Sequence, residues 1–420
     1  GFDVVIGNPP YVDSETMTKI IPLQREYITK TFDCAKGNWD LFVVFVEKSI
    51  TLTNVGGYTS LIIPNKIIAA KYATEIRKFI AQKQIVEIVD FSNVRVFEDA
   101  SVYPCIVSIV NNESESVVNM ICMQSVDTVA YKNQVLNRHL REGLYWDKYF
   151  FSPTVVQVID KMAIHPQMYS YLPNISGAAT VAEAYLVKEK LLDNESLSNS
   201  KKFINTGTID RYSSLWGYSQ TQYIKGRYLF PKIYDNDIYK ISQNRLEQAK
   251  SPKLIIAGMS LSYEAYYDKG EYLAGKSTTV ILGEADKLKF AQLIINSGLL
   301  SFWLKITFNS LTMSGGYFNI GGNEIGMIPI SIPADISMYV EMTDVMQDLN
   351  AKLSKMRSQF THRLQTNFEN IKISGVLDKF YEREFADILK ELKKQKITLT
   401  LREQDEWEEY FNDYKKQCNE

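Results

Sequence analysis

The chain has few of the residues that hold metals or disulfides. Its 420 residues include four cysteines and three histidines. The cysteines show no CxxC spacing, and the histidines form no HxxxH pair. Neither a zinc site nor a disulfide framework is therefore expected, and a reducing, cytoplasmic compartment fits this composition.

A strong charge bias is also missing. The 47 basic and 49 acidic residues leave a net charge of −2. This excludes a wholly basic nucleic-acid coat protein. A local basic cleft stays open, because charge can segregate between domains.

No apolar run approaches the ~18 residues of a membrane helix, so no membrane partner is expected. No signal peptide opens the chain. The first residues, GFDVVI, begin inside a strand-like run without Met. We read this start as an internal boundary of a longer protein.

The composition is that of a globular protein, with 45% hydrophobic and 23% charged residues. The first of three regions, 1–165, alternates strand-like and helical patterns. Strands are predicted at 2–7, 58–63, 85–91 and 105–110, and helices at 40–53 and 72–82. This alternation predicts a parallel α/β sheet, to which 117–123 adds an antiparallel edge.

The second region, 166–333, is rich in aromatics, glycine and lysine and is predicted to be α+β. Its strand-like runs are at 228–233, 253–257 and 278–282, and a helix is expected at 285–306. The third region, 334–420, has a helical pattern with a charged end. A glycine-rich stretch at 313–322 has no strand–loop–helix context and does not predict a phosphate or cofactor loop.

The motif that carries chemistry is Asn8-Pro9-Pro10-Tyr11, directly after the first predicted strand. The carboxyl edge of an open α/β sheet is where such sheets bind ligands. The prolines stiffen the turn and lack N–H groups. A backbone carbonyl near Pro9 and the Asn8 side-chain oxygen therefore remain as acceptors.

Two such acceptors can hold both hydrogens of a planar amino group and aim its nitrogen lone pair at an electrophile. Tyr11 offers a ring face for the aromatic system that bears the amine, and such stacking is worth roughly 1–3 kcal/mol. The motif thus predicts an exocyclic amine nucleophile, most simply adenine N6.

A purely structural interpretation of these residues stays open. Asn-Pro-Pro-Tyr is also a tight turn, and Phe97, in the run VFEDAS, is also typical of a core aromatic. The context favours function: a buried strand precedes the turn, a helix follows it, and Phe97 brings a second ring to a later sheet edge.

An ordered set of motifs resembles those of adenine-N6 (amino-group) DNA methyltransferases. GFDVVIGNPPYV is similar to the catalytic motif, and EIVDFSNVRVFEDASVYPCIVSIV to the target-base motif. Between them, WDLFVVFVEKSITLTNVGGYTSLIIPNKII is similar to the helix and strand that follow catalysis.

The run 202–332 is similar to the TaqI-like specificity domain of the gamma class. FINTGTIDRYSSLWG, AGKSTTVI and MSGGYFNIGGNEIGMIPI carry this similarity. The tail resembles that of bifunctional type IIG restriction–modification enzymes.

The resemblance implies a fold in three parts. Residues 1–165 would be the C-terminal half of a catalytic domain, with a partial Rossmann-like methyltransferase sheet. Residues 166–333 would be an α+β target-recognition domain, and 334–420 a helical C-terminal segment.

It also implies roles for particular residues. Asn8 and Pro9 would bind the N6 amine, in a turn that Pro10 helps to stiffen. Tyr11 would stack on a flipped adenine, and Phe97 would line its pocket. Phe45, with Asn8, would lie against S-adenosylmethionine, although a core aromatic on an apolar helix face is the alternative for Phe45.

The sequence also departs from this family. The glycine-rich loop that holds the methionine part of S-adenosylmethionine, and the acidic residue for its ribose, normally precede the catalytic motif and are absent here. A PD-(D/E)xK nuclease pattern is absent as well. We therefore expect an incomplete cofactor site, a fragment inactive alone, and the missing N-terminal half of the same polypeptide as a partner.

Candidate contacts to double-stranded DNA interleave cations with aromatics in the second region. Cations bind phosphates, which makes the affinity salt-dependent, while a few side chains read base edges. A solvated face with ordinary core aromatics is the alternative. The candidates are Lys201, Lys202, Arg211, Tyr212, Trp216, Tyr223, Lys225, Arg227 and Tyr228, expected to line a positive cleft facing the catalytic turn.

Three functions compete. The first is part of a site-specific adenine-N6 DNA methyltransferase within a type IIG restriction–modification protein. The second is a DNA-specificity module without catalysis. The third is methylation of a protein glutamine amide, whose enzymes share the Asn-Pro-Pro-Tyr motif but lack a large region after the catalytic half.

Overall fold

The computed structural model describes residues 1–92, 94–97, 103–142 and 145–419. Its strands are β1 (Phe2–Gly7), β2 (Thr53–Pro64), β3 (Gln84–Asp90), β4 (Pro104–Val110), β5 (Val117–Met123), β6 (Val129–Leu136), β7 (Asn174–Gly177), β8 (Leu192–Asp193), β9 (Ser200–Ile204), β10 (Ile209–Asp210), β11 (Ser213–Ser214), β12 (Thr221–Tyr223), β13 (Gly226–Tyr228), β14 (Pro231–Tyr234), β15 (Lys253–Ala257), β16 (Met259–Ser260), β17 (Ala265–Asp268), β18 (Tyr272–Ala274), β19 (Thr278–Leu282) and β20 (Phe318–Asn319).

Its helices are α1 (Ser14–Ile20), α2 (Pro22–Thr31), α3 (Phe42–Leu52), α4 (Thr74–Ala81), α5 (Asn137–Glu142), α6 (Pro153–Ala163), α7 (Met168–Tyr171), α8 (Val181–Lys190), α9 (Asp235–Ile241), α10 (Gln243–Lys250), α11 (Ala285–Ile295), α12 (Gly298–Thr307), α13 (Gly322–Gly326), α14 (Ser337–Asn367), α15 (Gly375–Asp378), α16 (Phe385–Lys394) and α17 (Leu401–Asn419).

The chain divides into two compact units. The first is Gly1–Pro166 with Gly298–Asn319, and the second is Gln167–Ser297 with Ile320–Glu420. The predicted boundary at 165 thus falls at the first division. The segment 298–319, which the sequence places in the second region, groups with the first unit instead.

A six-stranded sheet in the order β1-β2-β4-β3-β5-β6 forms the first unit. The predicted all-parallel arrangement is wrong. β1 is parallel to β2, but β4 runs antiparallel to both β2 and β3. A parallel return needs a crossover, usually a helix, and the described residues between β3 and β4 form none.

The prediction for 117–123 also needs correction. β5 is not an antiparallel edge, since it runs parallel to β3, and β6 pairs with it on the outside. At the other edge lies β1, whose Phe2, Val4 and Ile6 are 59%, 56% and 78% exposed. These residues alternate along the strand, so one face of β1 is an uncovered apolar surface.

Helices α3 and α4 bury their apolar faces in the core of this unit. In α4, Ile76 and Ile80 are fully buried at helical spacing. Between them Arg77 is also buried, and its Nη1 donates to the carbonyls of Ile67 and Ala70 at 2.9 Å each. Without these acceptors the buried guanidinium would be strongly destabilising.

The second unit contains two four-stranded sheets, in the orders β17-β15-β19-β7 and β18-β9-β14-β8. Strands β15 and β19 have the predicted bounds. The predicted strand 228–233 is two strands, because the Asp193 carboxylate accepts the backbone N–H groups of Leu229 and Phe230 and holds a turn between β13 and β14. The unit also contains α8, α9 and α10, which are not among the elements predicted for this region.

The predicted helix 285–306 is likewise two helices, α11 and α12. Asn296 directly follows the last residue of α11, and its side chain bonds to the backbone of a distant residue. Its Oδ1 accepts the backbone N–H of Ala265 and its Nδ2 donates to the Ala265 carbonyl, both at 2.9 Å.

The tail is helical, as predicted. Its core is aromatic: the rings of Phe360 and Phe380 stack with centroids 3.8 Å apart, and Phe411 is buried beside them. Among the described residues, no single helix has the length and apolar composition to cross a membrane, and α11 and α12 meet that test only as a joined pair.

Candidate functional site

The Asn-Pro-Pro-Tyr turn (residues 8–11) leaves the sheet at the carboxyl end of β1. Gly7 pairs with Leu61 of the parallel β2, so the ends of both strands reach the same edge. Pro9 is buried, whereas Asn8 and Pro10 are exposed. Within the described part of the chain the Asn8 amide has no hydrogen-bond partner, so it is available to a ligand.

Tyr11 and Phe97 lie together at this edge. Their ring centroids are 6.3 Å apart with an interplanar angle of 78°, an edge-to-face contact. The Tyr11 hydroxyl is buried, and no described residue accepts or donates a hydrogen bond to it. Burial raises the pKa of Tyr11 to about 12, so the phenol is neutral. Residues 93 and 98–102 of the predicted target-base motif lie outside the described residues.

The exit from the turn is fixed by Asp40, just before α3. Its carboxylate accepts the Ser14 backbone N–H at 3.1 Å and the Tyr72 hydroxyl. Beside it, the Leu41 N–H donates to the Val12 carbonyl at 2.9 Å. The segment that follows Tyr11 is therefore tied to the N-terminus of α3 and to Tyr72.

A polar network lies at the same edge, at the ends of β2 and β3. The Asn65 Nδ2 donates to the Ser92 hydroxyl at 2.7 Å, and that hydroxyl donates to Asp90 at 2.6 Å. Burial raises the pKa of Asp90 to about 6. Cys105, opposite Asp90 on β4, is fully buried, and burial raises its pKa too.

Sequence reasoning missed Asp40, Tyr72 and the Asn65–Ser92–Asp90 network. A signal was present for two of them, because Asn65 and Asp90 are polar residues that end apolar strand runs. Nothing in the sequence links Asp40 with Tyr72, which lies 32 positions further along the chain.

Phe45 faces outward from α3. It is 41% exposed, while its neighbours Val44 and Val46 are buried. The alternative of a core aromatic therefore does not fit. Phe45 is thus an exposed ring on this helix, and its contact with a cofactor stays a prediction.

The nine DNA-contact candidates do not form one uniform surface. Tyr212 and Tyr223 are only 7% and 5% exposed, although each lines a pocket. Tyr223 packs on Phe203, with centroids 4.6 Å apart. Little of either side chain is therefore open to DNA in this conformation, and a DNA contact by these two residues stays a prediction.

Other candidates make internal contacts. Lys201 Nζ donates to the Gly270 carbonyl at 2.7 Å, and Lys202 forms an ion pair with Glu271 at 3.0 Å. Arg211 bonds to Ser262 at 3.0 Å, and the Trp216 indole donates to the Pro231 carbonyl at 2.9 Å.

The remaining candidates belong to one hairpin. Lys225 and Arg227 are exposed. Tyr228 is half-buried, with the Lys188 ammonium 5.6 Å from its ring centroid.

Two family models match the chain. Residues 1–97 match the Eco57I restriction-modification methylase family. Residues 334–420 match a domain of unknown function, DUF8810. The resemblance to restriction–modification methyltransferases is thereby confirmed.

Particular relatives agree with this class. Over 106 residues the chain is 29% identical to the type II restriction enzyme and methyltransferase RM.Eco57I of Escherichia coli, covering 25% of this chain and 11% of that protein. Over 124 residues it is 34% identical to the type II methyltransferase M.BstVI of Geobacillus stearothermophilus, covering 29% of this chain and 21% of that protein.

A longer match is to RM.MjaORFECS2P of Methanocaldococcus jannaschii, a putative type II restriction enzyme and methyltransferase. It is 22% identical over 406 residues, covering 93% of this chain and 32% of that protein. The chain therefore spans about a third or less of these relatives. A solved type IIL restriction–modification enzyme, MmeI in complex with DNA, aligns with 99% of this chain and 57% of its own at a TM-score of 0.41 and 15% identity.

Proposed function

We propose that the chain is part of a site-specific DNA methyltransferase that transfers a methyl group from S-adenosylmethionine to adenine N6 in duplex DNA, within a type IIG restriction–modification protein. The observation that carries this proposal is the Asn-Pro-Pro-Tyr turn at a strand end, with Asn8 free and Phe97 edge-on to Tyr11. The match of residues 1–97 to a restriction–modification methylase family supports it.

The chemistry follows from the acceptors at the turn. The Asn8 side-chain oxygen and a carbonyl near Pro9 accept the two N6 hydrogens of a flipped adenine. The nitrogen lone pair would then leave conjugation with the ring and could bond to a methyl carbon as that carbon's bond to sulfur breaks. S-adenosylhomocysteine would be the leaving group, and the N6 proton would pass to water afterwards. S-adenosylmethionine supplies the electrophilic methyl. Tyr11 and Phe97 hold the base, whose extrusion costs a few kcal/mol.

The chain supplies residues for only one side of the proposed cofactor site. Phe45 and Asn8 contribute to it, while the glycine-rich loop for the methionine part is absent from the sequence. We therefore propose that the chain is inactive alone and works with the N-terminal half of the same polypeptide. In this proposal 1–165 carries catalysis, 166–333 recognises duplex DNA, and the role of 334–420 stays open.

A DNA-specificity module without catalysis is the second candidate, and the chain alone fits it. The free Asn8 amide argues against it for the longer protein, because a purely supporting turn has no need of an open acceptor. Methylation of a glutamine amide is less favoured, since more than two hundred residues follow the catalytic half.

The test uses the longer protein encoded by the full reading frame, with labelled S-adenosylmethionine and duplex DNA. N6-methyladenine should form with the wild type and disappear with Asn8→Ala, while duplex binding stays within about twofold. Asn236→Ala, at an exposed asparagine of α9, is the matched control and should methylate normally. Near wild-type methylation by Asn8→Ala, or a label found in protein glutamine, would refute the proposal.

A further inference from the structure

The hairpin formed by β12 and β13 is a separate two-stranded ribbon in the second unit. In its register Gln222 lies directly opposite Arg227, and Thr221 opposite Tyr228. Thr221 and Tyr223 are buried, while Gln222 and Arg227 are exposed. Opposite residues share one face of a ribbon, so Gln222 and Arg227 project side by side into solvent.

The turn of this hairpin is strained. Ile224 and Lys225 have φ values of 41° and 62°. A turn with positive φ at both central positions ordinarily takes Asn-Gly, and a β-branched residue there is a genuine outlier. The surroundings enforce the conformation, because Ile224 packs with Tyr223 against the buried cluster around Phe203. Strain of this kind clusters at functional sites.

A cavity of about 500 Å³ opens beside the ribbon and is rich in cations and amides. Lys225, Arg227 and Lys276 line it, and in the described residues none of the three forms an ion pair. Asn205 also lines it. Its Nδ2 donates to the Gln222 carbonyl at 3.1 Å, while its Oδ1 is buried with no hydrogen-bond partner among the described residues.

These features together fit the major groove of DNA. The groove admits a two-stranded ribbon. Arginine pairs bidentately with guanine, and glutamine with adenine. Opposite residues on a ribbon are roughly 4.5–5.5 Å apart, and base pairs rise ~3.4 Å. Side chains so placed reach adjacent or next-adjacent base pairs.

We propose that the β12–β13 hairpin reads base edges in the major groove, with Arg227 selecting guanine and Gln222 selecting adenine within two base pairs of it. Lys225 and Lys276 bind the flanking phosphates. Asn205 is a positioning residue that holds the Gln222 strand. This inference rests on the proposed DNA recognition and names the residues that give it sequence specificity.

The test starts from the chain and a pool of randomised duplexes, from which the preferred sequence is selected and its affinity measured by fluorescence anisotropy. Arg227→Ala should lose roughly 5- to 150-fold discrimination at one G·C pair. Arg227→Lys should lose the same discrimination while keeping the affinity for unrelated DNA, since lysine keeps the charge but not the fork. Gln222→Ala should relax one A·T position nearby.

Lys225→Ala should instead weaken all sequences equally and lower the salt slope by about 0.9. Arg402→Ala, at an exposed helical arginine paired with Glu406, is the charge-matched control and should leave the preference unchanged. A uniform loss with Arg227→Ala, or relaxed positions more than two base pairs apart, overturns the base-reading proposal alone. If the chain binds duplexes without sequence preference, the base-reading proposal is also overturned, but the proposed DNA binding is not. If the chain binds no duplex, both the base-reading proposal and the proposed DNA binding are overturned.

Discussion

The Tyr72 hydroxyl donates a hydrogen bond to the Asp40 carboxylate, and Asp40 in turn accepts the Ser14 N–H. This pair connects the segment after the catalytic turn with the start of α3. Because Asp40 is only 8% exposed, the loss of either partner would leave a largely buried carboxylate oxygen without a hydrogen bond.

Tyr72→Phe should therefore destabilise the first unit. It removes one donor from a buried carboxylate, which costs about 1–3 kcal/mol in the free energy of unfolding. Urea unfolding followed by tryptophan fluorescence measures this, because Trp39 is fully buried in the same core. Tyr27→Phe, at a side chain 69% exposed, should change nothing. Equal stability of both variants would contradict the anchoring role.

A pH-dependent prediction concerns Asp90. Its pKa rises to about 6 in the fold because of burial, so the folded state binds the proton more tightly than the unfolded chain. The contribution of Asp90 to the free energy of unfolding is therefore highest at low pH. It falls as the pH rises from the unfolded pKa of 3.8 to about 6.

Asp90→Asn removes this dependence. Between pH 4 and pH 7 the variant should gain up to about 3 kcal/mol relative to the wild type, at 1.36 kcal/mol per pKa unit. Buried Asp147, whose pKa rises to about 7 for the same reason, is present in both proteins, so it largely cancels in the difference. A wild-type-minus-variant difference that stays flat across this range would show that Asp90 is not buried as a titrating group.

Part of the fold is readable from local pattern. β1, β15 and β19 have their predicted bounds, because each is a short apolar run between turn signals. The direction of β4 could not be predicted, since it is set by antiparallel pairing with β2 and β3, which are distant in the chain or joined to it by a segment without a clear pattern. The break after α11 depends on Asn296 bonding to Ala265, a residue 31 positions away.

The candidate site, too, can be predicted from the sequence only in part. The Asn-Pro-Pro-Tyr turn is contiguous, so its residues can be named from the sequence. The residues that hold the segment after it are Asp40, just before α3, and Tyr72, just before α4, and they meet through folding alone. The burial of some DNA candidates was not predictable, because aromatic residues among cations are ambiguous. Tyr223 alternates inward along β12, and a three-residue strand is too short for its pattern to show this.

A third prediction concerns the cofactor. Calorimetry of the chain with S-adenosylmethionine should show no stoichiometric micromolar binding, because in the proposed site Phe45 and Asn8 would supply only one side of the pocket. In the longer protein, Phe45→Ala should weaken cofactor binding, while Leu52→Ala, at another exposed position of the same helix, should not. Tight binding by the chain itself would mean that its cofactor site is complete.

The last prediction separates stability from recognition in the hairpin. Lys225 adopts a φ of 62°, where glycine carries no steric penalty. Lys225→Gly should therefore stabilise the second unit by part of the roughly 1–3 kcal/mol that such a strained position costs, while removing the proposed phosphate contact and lowering the salt slope of DNA binding by about 0.9. Lys269→Gly is the matched control: Lys269 is exposed and is not among the positive-φ residues. There glycine only adds freedom to the unfolded chain, so the control should lower stability.

Guanidinium unfolding measures the free energy of unfolding of these variants, and anisotropy titrations on the same samples measure the salt slope of DNA binding. A variant that is more stable and yet binds DNA with an unchanged salt slope would confirm that the turn is strained. It would contradict the proposed contact between Lys225 and a phosphate.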